Sequence, residues 1–175
     1  MGSVILTGFM GTGKSSVGRL LARLTGWEFL DVDAQVVKSA GRSINDLFAQ
    51  EGETFFRALE TAELLNLVGR SDRLIIATGG GAVLDPGNRI LFKKLGLVVN
   101  LTASPDLIRF RLRHSDDRPL LNDGAAREKI GLMLRDREPC YADADIRIDT
   151  AGKKIEDVAA EIMAFLKTRG SMWND

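Results

Sequence analysis

The amino-acid sequence predicts an α/β fold of three layers, with a five-stranded parallel sheet held between two layers of helices. Two observations carry this. Five short runs of β-branched or apolar residues, "SVILT" at 3 to 7, "EFLD" at 28 to 31, "LIIAT" at 74 to 78, "LVVNL" at 97 to 101 and "DIRID" at 145 to 149, read as strands separated by longer segments. Two of those segments have clear helical period: Val17, Leu20, Leu21 and Leu24 after the first run, and Val158, Ala159, Ile162, Phe165 and Leu166 after the last. Strands that alternate with helices need crossovers, so the strands run parallel and helices cover both faces. Ligands of such sheets bind at the carboxyl ends of the strands. Chemistry is therefore expected just after each run.

At 175 residues the chain is long enough for a substantial core and has the length of one domain, expected to span 1–175. Lys+Arg and Asp+Glu are both 24, so no net charge steers the chain toward nucleic acid or an anionic membrane. Anion recognition must be local. Cys140 is the single cysteine, which excludes an internal disulfide and fits a reducing compartment. No basic segment precedes "SVILTG", and no apolar stretch approaches the roughly 18 residues of a membrane span, so a soluble cytoplasmic protein is expected.

The first strand runs into "GFMGTGKSS" at 8 to 16, which matches G-x-x-x-x-G-K-[ST] between a strand and a helix, the context that motif requires. Its glycines let successive N–H groups face phosphate oxygens, and the helix that follows presents its positive end. Gly11, Thr12, Gly13, Lys14, Ser15 and Ser16 are expected to bind ATP, with Lys14 reaching the β and γ phosphates and the Ser15 hydroxyl on Mg²⁺.

The second strand ends in "LDVD". Asp31 and Asp33, two apart, fall on one side of an extended chain, and two neighbouring acids imply a shared positive charge. Asp31 is expected to support the Mg²⁺ held by Ser15. Asp33 is then available to take the proton of an acceptor hydroxyl as its oxygen attacks the γ-phosphoryl group. It can also cap a helix over "AQVVKSAG", a role compatible with the first. From Asp33 to Val68 only helical patterns occur, including "INDLFAQEG" and "FFRALETAELLNLV", which marks an inserted helical piece.

The third strand ends in "TGGG", where a phosphate-loop protein often carries a metal-supporting acid. With that role met by Asp31, Gly79, Gly80 and Gly81 suit a turn that holds a small substrate on its backbone N–H groups, although a tight turn alone explains three glycines. After the fourth strand stands "NLTASPD", not the N-K-x-D of a guanine reader, which argues against a GTP switch. The polar "RLRHSDDRPLLNDGA" at 111 to 125 reads as a mobile loop. In it Arg118 can swing onto the transferring phosphate, and Arg111 at its base can stack on adenine. Arg57 in "FFRALE" and Arg137 in "LRDREPCY" can each fork onto a carboxylate. Singly these arginines suit surface ion pairs; their conjunction with a phosphate loop points to a site.

On "GFMGTGKSSVGRLLA", "FLDVDAQV", "FFRALE", "TGGGAV", "RPLL" and "REPCYADADIRIDT", in this order and over nearly the whole chain, the sequence resembles the shikimate kinases, of the P-loop, nucleoside-monophosphate-kinase-like class. The resemblance implies a P-loop kinase sheet of order 2-3-1-4-5, a substrate-binding helical insertion at about 33–60 and a lid at about 112–124. It implies transfer of the ATP γ-phosphoryl group to the 3-hydroxyl of shikimate. Asp33 would bind substrate hydroxyls, Arg57 and Arg137 the carboxylate, and Gly79, Gly80 and Gly81 would line the acceptor pocket. Asp31 would support Mg²⁺, Arg118 would be the lid arginine, and Arg111 would flank adenine. The catalytic set is then Lys14, Asp33 and Arg118, the small-molecule partners ATP and shikimate, and the expected state a monomer. Ala142 and Ala144 stand where many members are bulkier. The rival within enzymes is a related small-molecule kinase such as a gluconate kinase.

Overall fold

In the computed structural model, which describes residues 2–70, 72–113 and 126–169, the strands are β1 (Ser3–Thr7), β2 (Glu28–Asp31), β3 (Leu74–Ala77), β4 (Gly96–Thr102) and β5 (Ile146–Asp149). All pairings are parallel and the order is β2-β3-β1-β4-β5. The central strand β1 is buried on both faces, as a parallel strand between helical layers must be. Its side chains alternate. Val4 and Leu6 join a core with Val17 and Leu21 of α1 (Lys14–Thr25) and with Val158, Ile162 and Leu166 of α7 (Ile155–Thr168). Ile5 points the other way, into a core shared with α3 (Ile44–Leu67), α4 (Pro86–Leu95), α5 (Pro105–Leu112) and α6 (Ala126–Ala142).

The inserted piece consists of α2 (Val32–Ala40) and α3, which bends at Gly52 where φ is 84°. It closes its own small core of Val36, Leu47 and Phe56, so it packs semi-independently beside the sheet edge. The sheet topology positions the site. From β1 the chain crosses to β2 on one side, then later to β4 on the other, and the crevice at the carboxyl end of β1 opens where the order reverses. No helix among the described residues is long and apolar enough to cross a membrane.

Two sequence expectations are corrected in this frame. The chain is not extended through Asp33: β2 stops at Asp31 and α2 starts at Val32, so Asp33 lies in the first helical turn. The cap of that helix is Asp31, whose side chain accepts from the Ala34 N–H. Helical φ/ψ at Val32 is what rotates the two acids onto different tasks. Arg111 also lies inside α5 and not in a loop, since that helix runs to Leu112. Of the two small residues near β5, Ala144 packs against the core while Ala142 is exposed.

Candidate active site

The loop after β1 is shaped by close backbone approaches. A Cβ at Gly8, where φ is +137°, would lie 2.3 Å from the Leu101 carbonyl oxygen of β4, so no other residue fits there. Thr12 is buried and its hydroxyl donates to the Phe9 carbonyl at 2.8 Å, pinning the loop. Lys14, only 9% exposed, donates from Nζ to the carbonyls of Gly8 and Phe9 at 2.8 and 2.9 Å. A buried ammonium without acceptors is expensive, and these carbonyls hold it at the loop mouth. Gly11, Thr12, Gly13 and Ser16 line one side of a cleft of ≈ 310 Å³, with Arg111, Thr150, Lys153 and Ile155 opposite. Arg111 is held in place there: it donates to the Gly11 carbonyl at 3.1 Å, to the Thr150 hydroxyl at 3.0 Å and to the Thr150 carbonyl at 3.2 Å.

At the head of α1 the Ser15 hydroxyl donates to Asp31 Oδ2 at 2.7 Å, so the two residues expected around Mg²⁺ are in direct contact across β1 and β2. A hydroxyl and a carboxylate are hard oxygen donors, and with phosphate and water they suit an octahedral cation. The described residues contain no cluster of three His, Cys, Asp or Glu that could hold a metal alone.

The glycine triplet after β3 brings together residues expected on the acceptor side, Asp33 and Arg57. A Cβ at Gly79 would stand 2.1 Å from Glu60 Oε1 and 2.7 Å from Asp33 Oδ1, so both carboxylates flank this one residue. A Cβ at Gly81 would stand 2.2 Å from the Arg57 guanidinium, and one at Gly80 would stand 3.2 Å from the Met10 backbone nitrogen of the phosphate loop. The triplet is thus the hub between the phosphate loop, the insertion and the sheet. A short 3₁₀ turn, Ala82–Leu84, follows it, secured by Asn88 and Arg89, which donate to the carbonyls of Ala82 and Val83 at 3.1 and 2.6 Å. Arg137 approaches from α6 with its guanidinium 5.5 Å from the Phe9 ring centroid. One turn later Tyr141 donates from its hydroxyl to the Gly80 carbonyl at 2.6 Å.

The electrostatics are set by a pair that sequence reading missed. Arg57 forms an ion pair at 2.8 Å with Glu60, which has no exposed surface, and a second at 3.0 Å with the more exposed Glu53. Burial lowers the Arg57 guanidinium, but attraction and hydrogen bonds to Glu60 and Glu53 outweigh it and hold it above its ordinary value. Glu60 is also raised, chiefly by burial and further by repulsion from Asp33, against the lowering pull of Arg57 and of the Gly79 N–H. The guanidinium therefore stays charged and the carboxyl carries the burden of burial. The helical i, i+3 spacing of Arg57 and Glu60 in "FFRALE" was the available signal; burial of Glu60 under the triplet was not readable. Tyr141 and Thr150 were missed for a similar reason, since their partners Gly80 and Arg111 are distant in sequence.

The structure thus brings together Lys14, Ser15 and Asp31 on one side and Asp33, Arg57, Gly79, Gly80 and Gly81 on the other, with Arg137 beside them. Arg118 and most of the expected lid lie outside the described residues.

Residues 10–167 match the family model described as shikimate kinase. A shikimate kinase of Geobacter metallireducens is 55% identical over 167 residues, covering 95% of this chain and 93% of that protein. The solved shikimate kinase of Acinetobacter baumannii in complex with shikimate superposes with a TM-score of 0.91 at 36% identity, covering 97% of this chain and 95% of that one. A gluconokinase from Sinorhizobium meliloti reaches a TM-score of 0.56 at 17% identity, a likeness of fold alone.

Proposed function

Because the chain belongs to the shikimate kinase family, we infer that it transfers the γ-phosphoryl group of ATP to the 3-hydroxyl of shikimate, yielding shikimate 3-phosphate and ADP. The observation that carries this reading is the convergence of Asp33 and Arg57 on the glycine triplet, beside the phosphate loop.

The new bond joins the shikimate 3-oxygen to the γ-phosphorus as the bond from that phosphorus to the β-side oxygen breaks, and the hydroxyl proton passes to the Asp33 carboxylate. Lys14 exchanges its loop carbonyls for phosphate oxygens, and the loop N–H groups with the head of α1 bind the rest of the polyphosphate. Arg57 and Arg137 fork onto the ring carboxylate while the triplet supplies backbone donors. Glu60 keeps the Arg57 guanidinium facing the triplet. Ser15 and Asp31 would hold Mg²⁺, which when bound neutralises charge on the phosphate oxygens. Arg111 would flank adenine. In the same proposal, the segment at about 33–60 is the acceptor-binding part, and Arg118 in the segment at about 112–124 contacts the transferring phosphate and helps exclude water. A single kinase domain acting as a cytoplasmic monomer on these two small molecules, with no nucleic acid or membrane partner, completes it.

A coupled ADP-release assay with shikimate, gluconate and CMP as acceptors tests the reading. Turnover is expected with shikimate only. Turnover with gluconate and none with shikimate would sink it.

A further inference from the structure

The acceptor-side groups come from separate segments, and one buried hydroxyl ties two of them together. Arg137 and Tyr141 stand four apart on α6, hence on one face of the helix. Tyr141 is 3% exposed, and its hydroxyl donates to the Gly80 carbonyl at 2.6 Å. The Arg137 guanidinium stands close enough to the same phenol to pull its pKa down against the effect of burial. A phenol has one proton and a guanidinium is donor only. With the proton committed to Gly80, the Tyr141 oxygen can only accept from Arg137, so a link between the two has one possible polarity: Arg137 N–H to the Tyr141 oxygen, and Tyr141 O–H to the Gly80 carbonyl.

That polarity has a consequence for the glycine turn. A trans peptide is planar, so its carbonyl and the next N–H point in opposite directions. Anchoring the Gly80 carbonyl on Tyr141 turns the Gly81 N–H away from Tyr141. The flanking carbonyls of Gly79 and Gly81 are engaged within the turn by Ala82 N–H and Leu84 N–H, at 3.2 and 3.0 Å. The Tyr141 bond is what secures the middle peptide from outside the turn.

We propose that Tyr141 is a positioning residue for the acceptor carboxylate, its hydroxyl linking the Arg137 guanidinium to the Gly80 carbonyl so that the arginine and the glycine turn present their donors as one unit. The proposal rests on the acceptor-site reading above. The link persists across the working pH range, because burial pushes the phenol up to about 12 over the opposing pull of Arg137 and Arg57.

Tyr141→Phe keeps the ring and removes the link. Loss of a hydrogen bond that organises a charged donor is expected to raise the KM for shikimate about 10-fold, with kcat lowered less than about 3-fold and the KM for ATP unchanged. A purely structural tyrosine would lower the Tm and leave the shikimate KM where it is, and that result overturns the proposal. So does an equal rise in both KM values. In an Arg137→Lys background, where the fork is already lost, the further effect of Tyr141→Phe is expected to shrink to under about 2-fold. A full effect in that background breaks the link to Arg137. If the unaltered chain itself fails to phosphorylate shikimate, the functional reading falls together with this one; normal turnover with an unmoved KM in the variant defeats this one alone.

Discussion

The two halves of the site are built in opposite ways. In the proposed site the phosphate-binding part is one continuous stretch: Gly8 to Ser16 form the loop and the head of α1, and backbone N–H groups would do most of its binding. The acceptor half is assembled from α2, α3, the β3 turn and α6, with side chains from segments more than a hundred residues apart meeting around three glycines. A contiguous motif depends on local conformation, so it survives wherever a strand and helix flank it. An assembled pocket depends on packing, so it can specify an acceptor and also fail piecewise. In the proposed function the nucleotide half supplies the phosphoryl group, and the acceptor half decides who receives it.

The largest effect that would sharpen this contrast is expected at their junction. Asp33→Asn removes the proposed proton acceptor and is expected to lower kcat by about 10²- to 10⁴-fold while leaving ATP affinity within about twofold, measured by nucleotide titration. A parallel loss of ATP affinity would merge the two halves.

Arg57→Ala ranks next, because it affects both binding and stability. It leaves Glu60 buried without its main partner. The expected loss is about 2–3 kcal/mol at neutral pH, below the figure for a fully enclosed pair because Arg57 reaches solvent and Glu60 can take up a proton. The direction with pH follows from Glu60. Its carboxyl is raised in the fold, so its contribution is fully present below the unfolded value and is lost as pH rises through the folded one. Without Arg57 that folded value moves higher still. The Tm gap between wild type and variant is therefore expected to widen from about pH 5 to about pH 8, as read by thermal melts. A gap that narrows would contradict the raised carboxyl.

Gly81→Ala is expected to be milder. The backbone at Gly81 has φ −99°, which alanine adopts freely, but the added methyl meets the Arg57 guanidinium. The flexible arginine tip gives way, so the shikimate KM is expected to rise about 10-fold with little change in Tm. The smallest effect is expected at Arg70, whose exposed pairs with Glu28 and Asp72 lie at the sheet edge. Arg70→Ala is expected to change stability by less than about 0.5 kcal/mol and neither KM.

The same contrast governs what could be read in advance. All five strands were legible from apolar runs, and the phosphate loop from its spacing, because both are local properties of the chain. The site arginines and Asp33 were legible as residue types, but their partners were not. Glu60 became part of the site only through burial beneath Gly79, and Tyr141 only through a bond to a carbonyl sixty-one positions away. The capping role open to Asp33 went to Asp31 because the helix starts two residues earlier than the pattern implied. The helix α6 gave a weak periodic signal and contains Pro139, so Arg137 was legible as a residue without the helix that carries it.

The central claim is that both halves face one cleft. A crystal structure with shikimate and a non-hydrolysable ATP analogue tests it most directly. The account predicts the ring carboxylate within hydrogen-bond distance of both Arg57 and Arg137, and the 3-hydroxyl between Asp33 and the γ-phosphate. A ring bound with either guanidinium turned away from it, or with its hydroxyls remote from Asp33, would contradict the account.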